Sequence, residues 1–399
     1  MKSRSPSPFA TPAYKANPYS YYEQLRREAP VYKTAMPNGT EVWVVTRYED
    51  VLDGLKDGRL VKDIRNARGK TFWEMLGLGA IRGKNMLRTD PPDHARLRSL
   101  ANEAFQPKYV RELRPRIVEI ANHLVDKVQS AGKMEFISDY AFPLPITVIS
   151  EMLGVPSKDH DRFRKWSGNL INSGALSSER PRLTPDLAQM VQYVRKVVAD
   201  HRKHPQDDVV TQLIEAEDKG DRLSDTEVVS TVVLLLVAGH ETTVNLIGTG
   251  MLALLLNPEQ LEKLRQDRSL LKPAIEELLR YVNPVQMVNR YAAEDVEIAG
   301  QKIPRGAHLV LVLGAANHDP SYASEPDRLN LSRDDSKHVA FGQGIHYCLG
   351  APLARLEGEI AFTTIFDRLP NIRLAAPPES IEWRPAVELR GLSALPVSF

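Results

Sequence analysis

The sequence of 399 residues contains a single cysteine, Cys348. One thiol cannot form an intramolecular disulfide, a cysteine-rich zinc site or a self-contained iron–sulfur cluster. This scarcity is typical of a reducing compartment, so we expect a cytoplasmic protein. An excess of charge of one sign is also missing, because 52 Lys and Arg residues face 51 Asp and Glu residues. The near-neutral chain supplies no electrostatic field that would attract nucleic acid or an anionic membrane surface.

The chain also lacks a feature that would divide it. No linker or shift in composition separates two halves, so we predict one large, mainly α-helical domain over residues 1–399. Residues 1–18 are rich in Pro, Ser and Tyr and have no apolar core, unlike a signal peptide or membrane anchor, so we predict an extended arm. No G-x-G-x-x-G fingerprint follows a predicted strand, so the chain has no evident electron source of its own.

The spacing of apolar residues predicts both helices and strands. Apolar residues recur at helical spacing from Asp93 to about Gly220, with breaks expected at 142–145, 154–156 and 173–185. A helix is expected at 48–55, and a long loop with partial helix at 61–87. Period-two alternation and turn residues predict strands at 41–47, 296–298, 301–303 and 307–313, and further sheet near 381–385 and 389–399.

One helix is expected to be unusually long. Ser224 and Glu227 form a capping-box pattern before an almost continuous apolar run that ends at Leu256, ahead of Asn257-Pro258. A membrane span is the alternative, but His240 to Asn245 place polar and charged groups in the middle of the run, where they are costly in lipid. We therefore predict a helix buried in a soluble core.

The cysteine lies in the segment Phe341-Gly342-Gln343-Gly344-Ile345-His346-Tyr347-Cys348-Leu349-Gly350, just before a helical pattern over 351–369. Gly342 and Gly344 permit backbone conformations that can direct amide groups toward the sulfur. The helix start lowers the pKa of a thiol, and Gly350 leaves room for a flat ligand. A lone cysteine is more often a small buried hydrophobic residue, but here its neighbours favour a thiolate ligand of iron.

This segment resembles the cysteine-loop signature of the cytochrome P-450 family, with His346 at a position that is usually Arg or His. The resemblance runs from Tyr21 to the C-terminal strands and is closest to the soluble bacterial members. It implies a triangular helical body with a small β-rich lobe. It also implies haem b between the long helix and the cysteine-loop helix, with Cys348 as the axial ligand and Phe341, Gly342 and Gly350 in contact with the cofactor.

Glu277 and Arg280 resemble the family's E-x-x-R motif, which pairs a carboxylate with a guanidinium on one helix face. The spacing alone is uninformative, because it also occurs at Glu23/Arg26, Glu179/Arg182, Glu262/Arg265 and Glu325/Arg328. Only Glu277/Arg280 follows the long helix and precedes the cysteine loop. The order along the chain therefore selects this pair as the structural one.

Within the long helix, residues 238–243 (AGHETT) resemble the family's oxygen-activation segment. By this resemblance Ala238 makes space for dioxygen, Thr242 donates a hydrogen bond to it, and Glu241 relays protons from solvent. A helix merely bent by Gly and Thr would not explain a carboxylate in the middle of an apolar run. His240-Glu241 also begins an H-E-x-x-H zinc motif, which fails because residue 244 is Val.

Four basic residues match family contacts to the haem propionates. His94 and Arg98 are four residues apart on one predicted helical face, and Arg290 and His346 complete the set. Residues 61–87, residues 173–185 and a face of the long helix with Leu235, Ala238 and Asn245 are expected to line the substrate pocket by family position.

The resemblance implies a monooxygenase that inserts one oxygen atom from O2 into a medium-sized hydrophobic molecule such as a polyketide, terpenoid, steroid or fatty acid. Ferredoxin or flavodoxin with an NAD(P)H-dependent reductase would supply electrons, docking near Cys348 with Arg355 and Lys337 as candidate contacts. We expect a monomer without nucleic-acid or membrane partners. A peroxide-driven or rearranging haem enzyme, or a non-enzymatic haem sensor or carrier, are the alternatives.

Overall fold

The computed structural model describes residues 9, 11, 14, 16–69, 84–172, 185–218, 223–334 and 337–399. Its helices are α1 (Tyr19–Glu28), α2 (Tyr48–Lys56), α3 (Ile64–Arg68), α4 (Asp93–Asn102), α5 (Pro107–Glu112), α6 (Arg114–Gln129), α7 (Pro143–Met152), α8 (His160–Asn172), α9 (Pro185–Lys203), α10 (Val209–Asp218), α11 (Asp225–Leu256), α12 (Pro258–Gln266), α13 (Leu271–Val282), α14 (Leu313–Asn317) and α15 (Ala351–Arg368). Its strands are β1 (Val31–Ala35), β2 (Glu41–Val45), β3 (Leu60–Val61), β4 (Lys133–Glu135), β5 (Val288–Ala292), β6 (Val296–Ile298), β7 (Gln301–Ile303), β8 (His308–Leu311), β9 (Arg373–Leu374) and β10 (Pro396–Ser398).

The chain forms two compact units, each built from segments that are distant in sequence. The first contains residues 1–68, 245–348 and 371–399, and the second contains residues 69–244 and 349–370. The sheets at β1 to β3 and β5 to β10 belong to the first unit, and most of the long helices belong to the second. The organisation as a single domain stays a prediction.

The first unit is organised around a five-stranded sheet in the order β1-β2-β8-β5-β3. β2 pairs antiparallel with β1 and parallel with β8, with Val44 opposite Val310. Alternate residues point to opposite faces of a strand. Val44 and Val310 accordingly pack with Tyr22 on one face, whereas Leu309 and neighbours pack with α2 on the other. The predicted alternation of the 41–47 strand is confirmed.

The second unit is a bundle of helices in which α15 packs against α6. Buried apolar side chains line α15, including Phe362 and Phe366. The Tyr140 hydroxyl donates to the carbonyl oxygen of Ala361 at 2.9 Å, and Arg368 forms an ion pair with Asp126 on α6 at 2.7 Å. The helix that follows the cysteine loop is therefore held along its length.

The long helix α11 begins and ends where the sequence predicts. The Ser224 amide donates to the Glu227 carboxylate at 2.8 Å, and the Glu227 amide donates to the Ser224 hydroxyl at 3.3 Å, which is the predicted capping box. α11 is long and apolar enough to cross a membrane, but 72% of its most apolar window is buried within the protein. That burial supports the predicted core helix.

Of three local predictions, the first is confirmed as a boundary and the other two were wrong. The break expected at 142–145 is the junction between a π-helical turn at Ile137–Ala141 and α7, where Pro143 occupies the first turn and an amide N–H is not needed. The strand expected to reach Leu313 ends at Leu311, and the small residues from Gly314 to Ala316 form α14 instead. Near the C-terminus the predicted strands are short: β10 lies between β4 and β9 in a three-stranded sheet, and isolated bridges replace the remaining predicted pairing.

Some predictions fall outside the described residues. Positions 70–83 of the predicted loop at 61–87 and positions 173–184 of the break at 173–185 are among them, so their expected place at a pocket stays a prediction. Of the predicted N-terminal arm, Phe9 and Tyr14 are described. Both are buried and pack with Tyr22 in the first unit.

Candidate active site

The cysteine loop is a tight turn that depends on two glycines. Gly342 and Gly344 adopt φ angles of +69° and +71°, in the left-handed region that side chains disfavour. A Cβ atom on Gly344 would also lie 2.9 Å from the carbonyl oxygen of Leu55. The amide N–H of Cys348 donates to the carbonyl oxygen of Phe341 at 2.9 Å and closes the loop. The conformational freedom predicted for both glycines is used.

Cys348 lies half-buried just ahead of α15, and Gly350 is the residue that precedes the helix. A Cβ atom built on Gly350 would meet no other heavy atom within 4 Å. Phe341 and His346 flank the cysteine in the same loop, and His346 is half-buried in a 3-10 turn at Gly344–His346. Gly350 therefore has open space beside it, and its contact with a flat ligand stays a prediction.

Glu277 and Arg280 on α13 form a fully buried, two-pronged ion pair. The Arg280 Nε and Nη2 atoms donate to the two carboxylate oxygens at 2.8 and 2.9 Å, and its Nη1 donates to the carbonyl oxygens of Asn317 and Pro326. The sequence did not single out Arg333, which also donates to Glu277, at 3.1 Å. The pair thus fastens three separate segments of the first unit.

The other described Glu/Arg pairs with the same spacing do not form buried ion pairs. Glu262/Arg265 and Glu325/Arg328 are loose contacts of 3.8 and 3.6 Å between largely exposed side chains. Arg26 is buried but donates to the carbonyl oxygen of Ala315, and Glu179 lies outside the described residues. Among the described residues, burial marks Glu277/Arg280 as the pair that chain order selected.

A stripe of α11 remains accessible although the helix around it is buried. Its members are four residues apart, one above the other on one helical face: Ser230, Leu234, Ala238 and Thr242. The Thr242 hydroxyl donates to the carbonyl oxygen of Ala238 at 2.9 Å. Ala238 and Thr242 therefore share one face, as predicted, whereas Leu235 and Asn245 are buried.

Gly239 in the same segment has a packing role. A Cβ atom at this position would approach the Ile149 side chain on α7 to 2.7 Å. The glycine therefore allows α7 and α11 to come close together within the second unit. This contact explains the glycine without any bend in the helix.

Glu241 is almost completely buried, at 2% exposure. The Ser167 hydroxyl on α8 donates to its Oε1 atom at 3.0 Å, and the Nε2 atom of His240 lies 3.5 Å from the same oxygen. A buried carboxylate is tolerated when polar groups of this kind surround it. The sequence identified Glu241 but gave no signal for Ser167, which lies 74 residues earlier.

The predicted propionate contacts are placed as follows. His94 is buried and Arg98 half-buried on α4, four residues apart. Burial, followed by the positive charge of Arg98, lowers the pKa of His94, so its imidazole is neutral at pH 7 and still offers an N–H donor. Arg290 is buried on β5, and His346 lies in the cysteine loop. Their combined role as haem contacts stays a prediction.

Comparison with known proteins identifies the family. The cytochrome P-450 family model matches residues 178–372. The polyketide biosynthesis cytochrome P-450 PksS of Bacillus subtilis is 41% identical over 96% of both chains. Its solved structure superimposes with a TM-score of 0.89, covering 98% of both chains. A myxobacterial cytochrome P-450, CYP267B1, solved with myristic acid, gives 0.90 at 39% identity over 98% of both chains.

This chain belongs to the cytochrome P-450 family. It has the cytochrome P-450 fold and is a haem-dependent monooxygenase, and its cysteine thiolate binds the haem. Cys348 is the only residue that can supply that thiolate. The residues present fit the group: Cys348 offers a half-buried sulfur in the first unit, and Gly350 has open space beside its Cα in the second.

Glu357 on α15 is a buried ionisable group that the sequence did not single out. Burial raises its pKa to about 8, and the Thr243 hydroxyl offsets only part of this rise. No basic side chain is among the groups that shift it. The carboxyl group is therefore largely protonated and neutral at pH 7.

The raised pKa predicts a pH-dependent loss of stability. Between pH 4.5 and about 8 the folded protein retains a proton on Glu357 that the unfolded chain releases, so the free energy of unfolding falls as the pH rises. Each unit of pKa shift corresponds to about 1.4 kcal/mol. We expect Glu357→Gln to remove this slope, measured by denaturant unfolding across that pH range.

Glu359→Gln is the matched control for this measurement. Glu359 is on the same helix, where its carboxylate pairs with Arg114 at the surface at 2.9 Å. The control should leave the wild-type slope in place. Parallel pH profiles for wild type and Glu357→Gln would show that burial does not hold the proton on Glu357.

Proposed function

We propose that this cytochrome P-450 inserts one oxygen atom from O2 into a medium-sized hydrophobic molecule, giving an alcohol or an epoxide. The observation that carries the proposal is the pair formed by Glu241 and Thr242 on α11. A buried acid directly precedes an accessible hydroxyl in the middle of a helix that is otherwise apolar. A haem carrier or sensor needs a pocket but has no use for such a pair.

Glu241 and Thr242 have different roles in proton delivery. Because the Thr242 hydroxyl donates its own proton to Ala238, its lone pairs can accept a proton from Glu241 or from an intervening water. The methyl group of Ala238 leaves space beside that hydroxyl. When bound, the haem supplies oxygen activation, and electron donation by the thiolate favours O–O cleavage. Glu241 and Thr242 then provide protons while the apolar helix excludes bulk water.

The substrate class rests on the apolar character of the accessible stripe and on relatives. Leu234 and Ala238 present hydrocarbon to any molecule held against this face of α11. PksS belongs to a polyketide synthase system by its name, and CYP267B1 was solved with myristic acid. A spectral-shift titration of the ferric protein with polyketides, terpenoids, steroids and fatty acids identifies the class that binds.

We further propose external electron partners, since bacterial cytochromes P-450 use redox proteins such as ferredoxin and a reductase. We propose a ferredoxin or flavodoxin with an NAD(P)H-dependent reductase as the partners, and a monomeric, cytoplasmic protein. Lys337 is exposed ahead of the cysteine loop, and Arg355 is half-buried on α15. Both remain candidate contacts for the partner.

Thr242→Ala tests the oxygen-activation role. The variant should bind the substrate selected by the titration with unchanged affinity but release hydrogen peroxide in place of product. We expect product formed per NADPH consumed to fall about tenfold or more, because proton delivery by one positioned group contributes about 10²–10⁴-fold to such steps. The measurement uses holoenzyme with a surrogate ferredoxin and reductase.

Thr249→Ala is the matched control. Thr249 is on the same helix and donates to the carbonyl oxygen four residues earlier, at Asn245, but it is buried about two turns further along, beyond the accessible stripe. We expect Thr249→Ala to form as much product per NADPH consumed as the wild type. Full coupling in Thr242→Ala, together with turnover supported by hydrogen peroxide alone, would favour the peroxide-driven alternative.

A further inference from the structure

Glu241 is proposed to supply protons, yet its carboxylate is sealed from bulk water. Protons that it gives up must be replaced through the groups that it touches. The Ser167 hydroxyl contacts it at 3.0 Å, and Ser167 is itself completely buried on α8. Ser167 is one group through which a proton can return to Glu241, so its own partners decide whether it can carry one.

His240 is one of these partners. Its Nε2 atom is 3.1 Å from the Ser167 hydroxyl oxygen, and its Nδ1 atom is 2.6 Å from the carbonyl oxygen of Leu236. A carbonyl oxygen only accepts, so Nδ1 carries a proton. Nε2 is then free to exchange a proton with Ser167. Imidazole, hydroxyl and carboxyl groups thus form one hydrogen-bonded row within the second unit.

The row has two arrangements with the same number of protons. In one, an imidazolium Nε2–H donates to Ser167, and the Ser167 O–H donates to the Glu241 carboxylate. In the other, a protonated Glu241 donates to Ser167, and Ser167 donates to neutral His240. Conversion from the first to the second breaks the Nε2–H bond and the Ser167 O–H bond while a new Ser167 O–H bond and a Glu241 O–H bond form.

We propose that Ser167 and His240 act through Glu241 as a proton relay that reloads its carboxyl group after each proton is delivered. The inference deepens the proposed role of Glu241 and rests on it. Neither side chain touches the reacting atoms, so both act as positioning and relay residues. Conversion between the two arrangements moves one proton's charge from the imidazole to the carboxyl group without changing the number of protons in the row.

His240 lies close to a surface cleft but is not open to it. The Phe142 ring packs edge-on against the imidazole at 5.7 Å, and the Arg164 guanidinium lies 4.8 Å from the same ring. Phe142, Arg164 and His160 border a surface cleft of about 760 Å³. One aromatic ring therefore separates His240 from the cleft.

The titratable and charged groups on the cleft side of His240 are on α7 and α8. His160 and Arg164 belong to α8, and Glu151 belongs to α7. Burial lowers the pKa of His160, and the charge of Glu151 opposes that effect. The lowered pKa favours neutral His160 at pH 7, so it adds no fixed charge near His240.

The relay is tested with Ser167→Ala and His240→Gln in the holoenzyme, using a surrogate ferredoxin and reductase and the substrate found by titration. Ser167→Ala removes the middle proton carrier, and His240→Gln retains hydrogen bonding but cannot ionise. We expect each variant to lower product per NADPH at least about tenfold. We also expect each to change the solvent deuterium isotope effect on product formation, because each removes a proton carrier from the row.

Ser150→Ala is the matched control, since Ser150 is an equally buried serine on the neighbouring helix α7. The ferrous–CO band of every variant must match that of wild type, which separates a proton-transfer effect from misfolding. Should Ser167→Ala fail to fold, His240→Gln breaks the same row at a different atom. Unchanged coupling and an unchanged isotope effect in both foldable variants would overturn the relay.

Glu241→Gln separates this inference from the proposed function. Loss of coupling in Glu241→Gln together with loss in Ser167→Ala and His240→Gln supports both. Loss of coupling in Glu241→Gln alone would support the proposed function and refute the relay. Full coupling in Glu241→Gln would refute the proposed role of Glu241, and the relay with it.

Discussion

Replacing Cys348 with Ser is expected to abolish the red-shifted Soret band of the ferrous–CO complex and to lower turnover by about two orders of magnitude or more. The substitution changes only the sulfur atom. The bond that closes the loop is a backbone bond from the Cys348 amide to Phe341, so Ser retains it. No other residue can replace the thiolate, because the sequence has no second cysteine.

Absorbance spectra of the reduced, CO-saturated protein measure this effect directly. Tyr347→Phe, one residue earlier in the same loop, is the control and should retain the red-shifted band. An intact band in Cys348→Ser would mean that another group holds the iron. Such a result would overturn the assignment of Cys348.

The second large effect is expected at Arg280. Arg280→Met removes the guanidinium from a fully buried pair and leaves the Glu277 carboxylate with Arg333 as its remaining basic partner. It also leaves the carbonyl oxygens of Asn317 and Pro326 without this donor. Breaking a buried pair by removing one partner costs about 3–5 kcal/mol. We expect a loss of this size in the free energy of unfolding.

Denaturant unfolding monitored by circular dichroism checks this value. Arg265→Met is the matched control, because Arg265 has the same spacing to Glu262 but a loose contact of 3.8 Å at the surface. It should cost no more than about 1 kcal/mol. Arg280→Lys retains the charge but cannot form the two-pronged contact, so its loss should lie between the two. Equal losses in Arg280→Met and Arg265→Met would contradict a structural role for the buried pair.

The E-x-x-R motif illustrates how far a local pattern can be interpreted. Five segments of the chain have this spacing, and spacing alone cannot say which one is buried. Their order along the chain selected Glu277/Arg280, and the structure then showed its burial and its third partner, Arg333. Arg333 is 56 residues from Glu277, and a contact over that distance leaves no periodic signal in the sequence.

The strand predicted to reach Leu313 was wrong because the small residues of 314–316 were interpreted from their average preferences. In the structure they form α14, and Gly314 packs directly against the Gln286 side chain. Tertiary packing overrode a weak local preference there.

The sequence by itself determined the cysteine loop. Its chemistry depends on a contiguous segment in which Gly342 and Gly344 set the backbone and Gly350 has open space beside it, so every requirement lies within ten residues. It also determined the bounds of α11, because a capping box and an Asn-Pro stop act locally. Only the tertiary structure decided which groups surround Glu241 and that Glu357 is buried with a raised pKa. The reason is physical: burial and the hydrogen bonds of a side chain depend on segments that fold against it from distant parts of the chain.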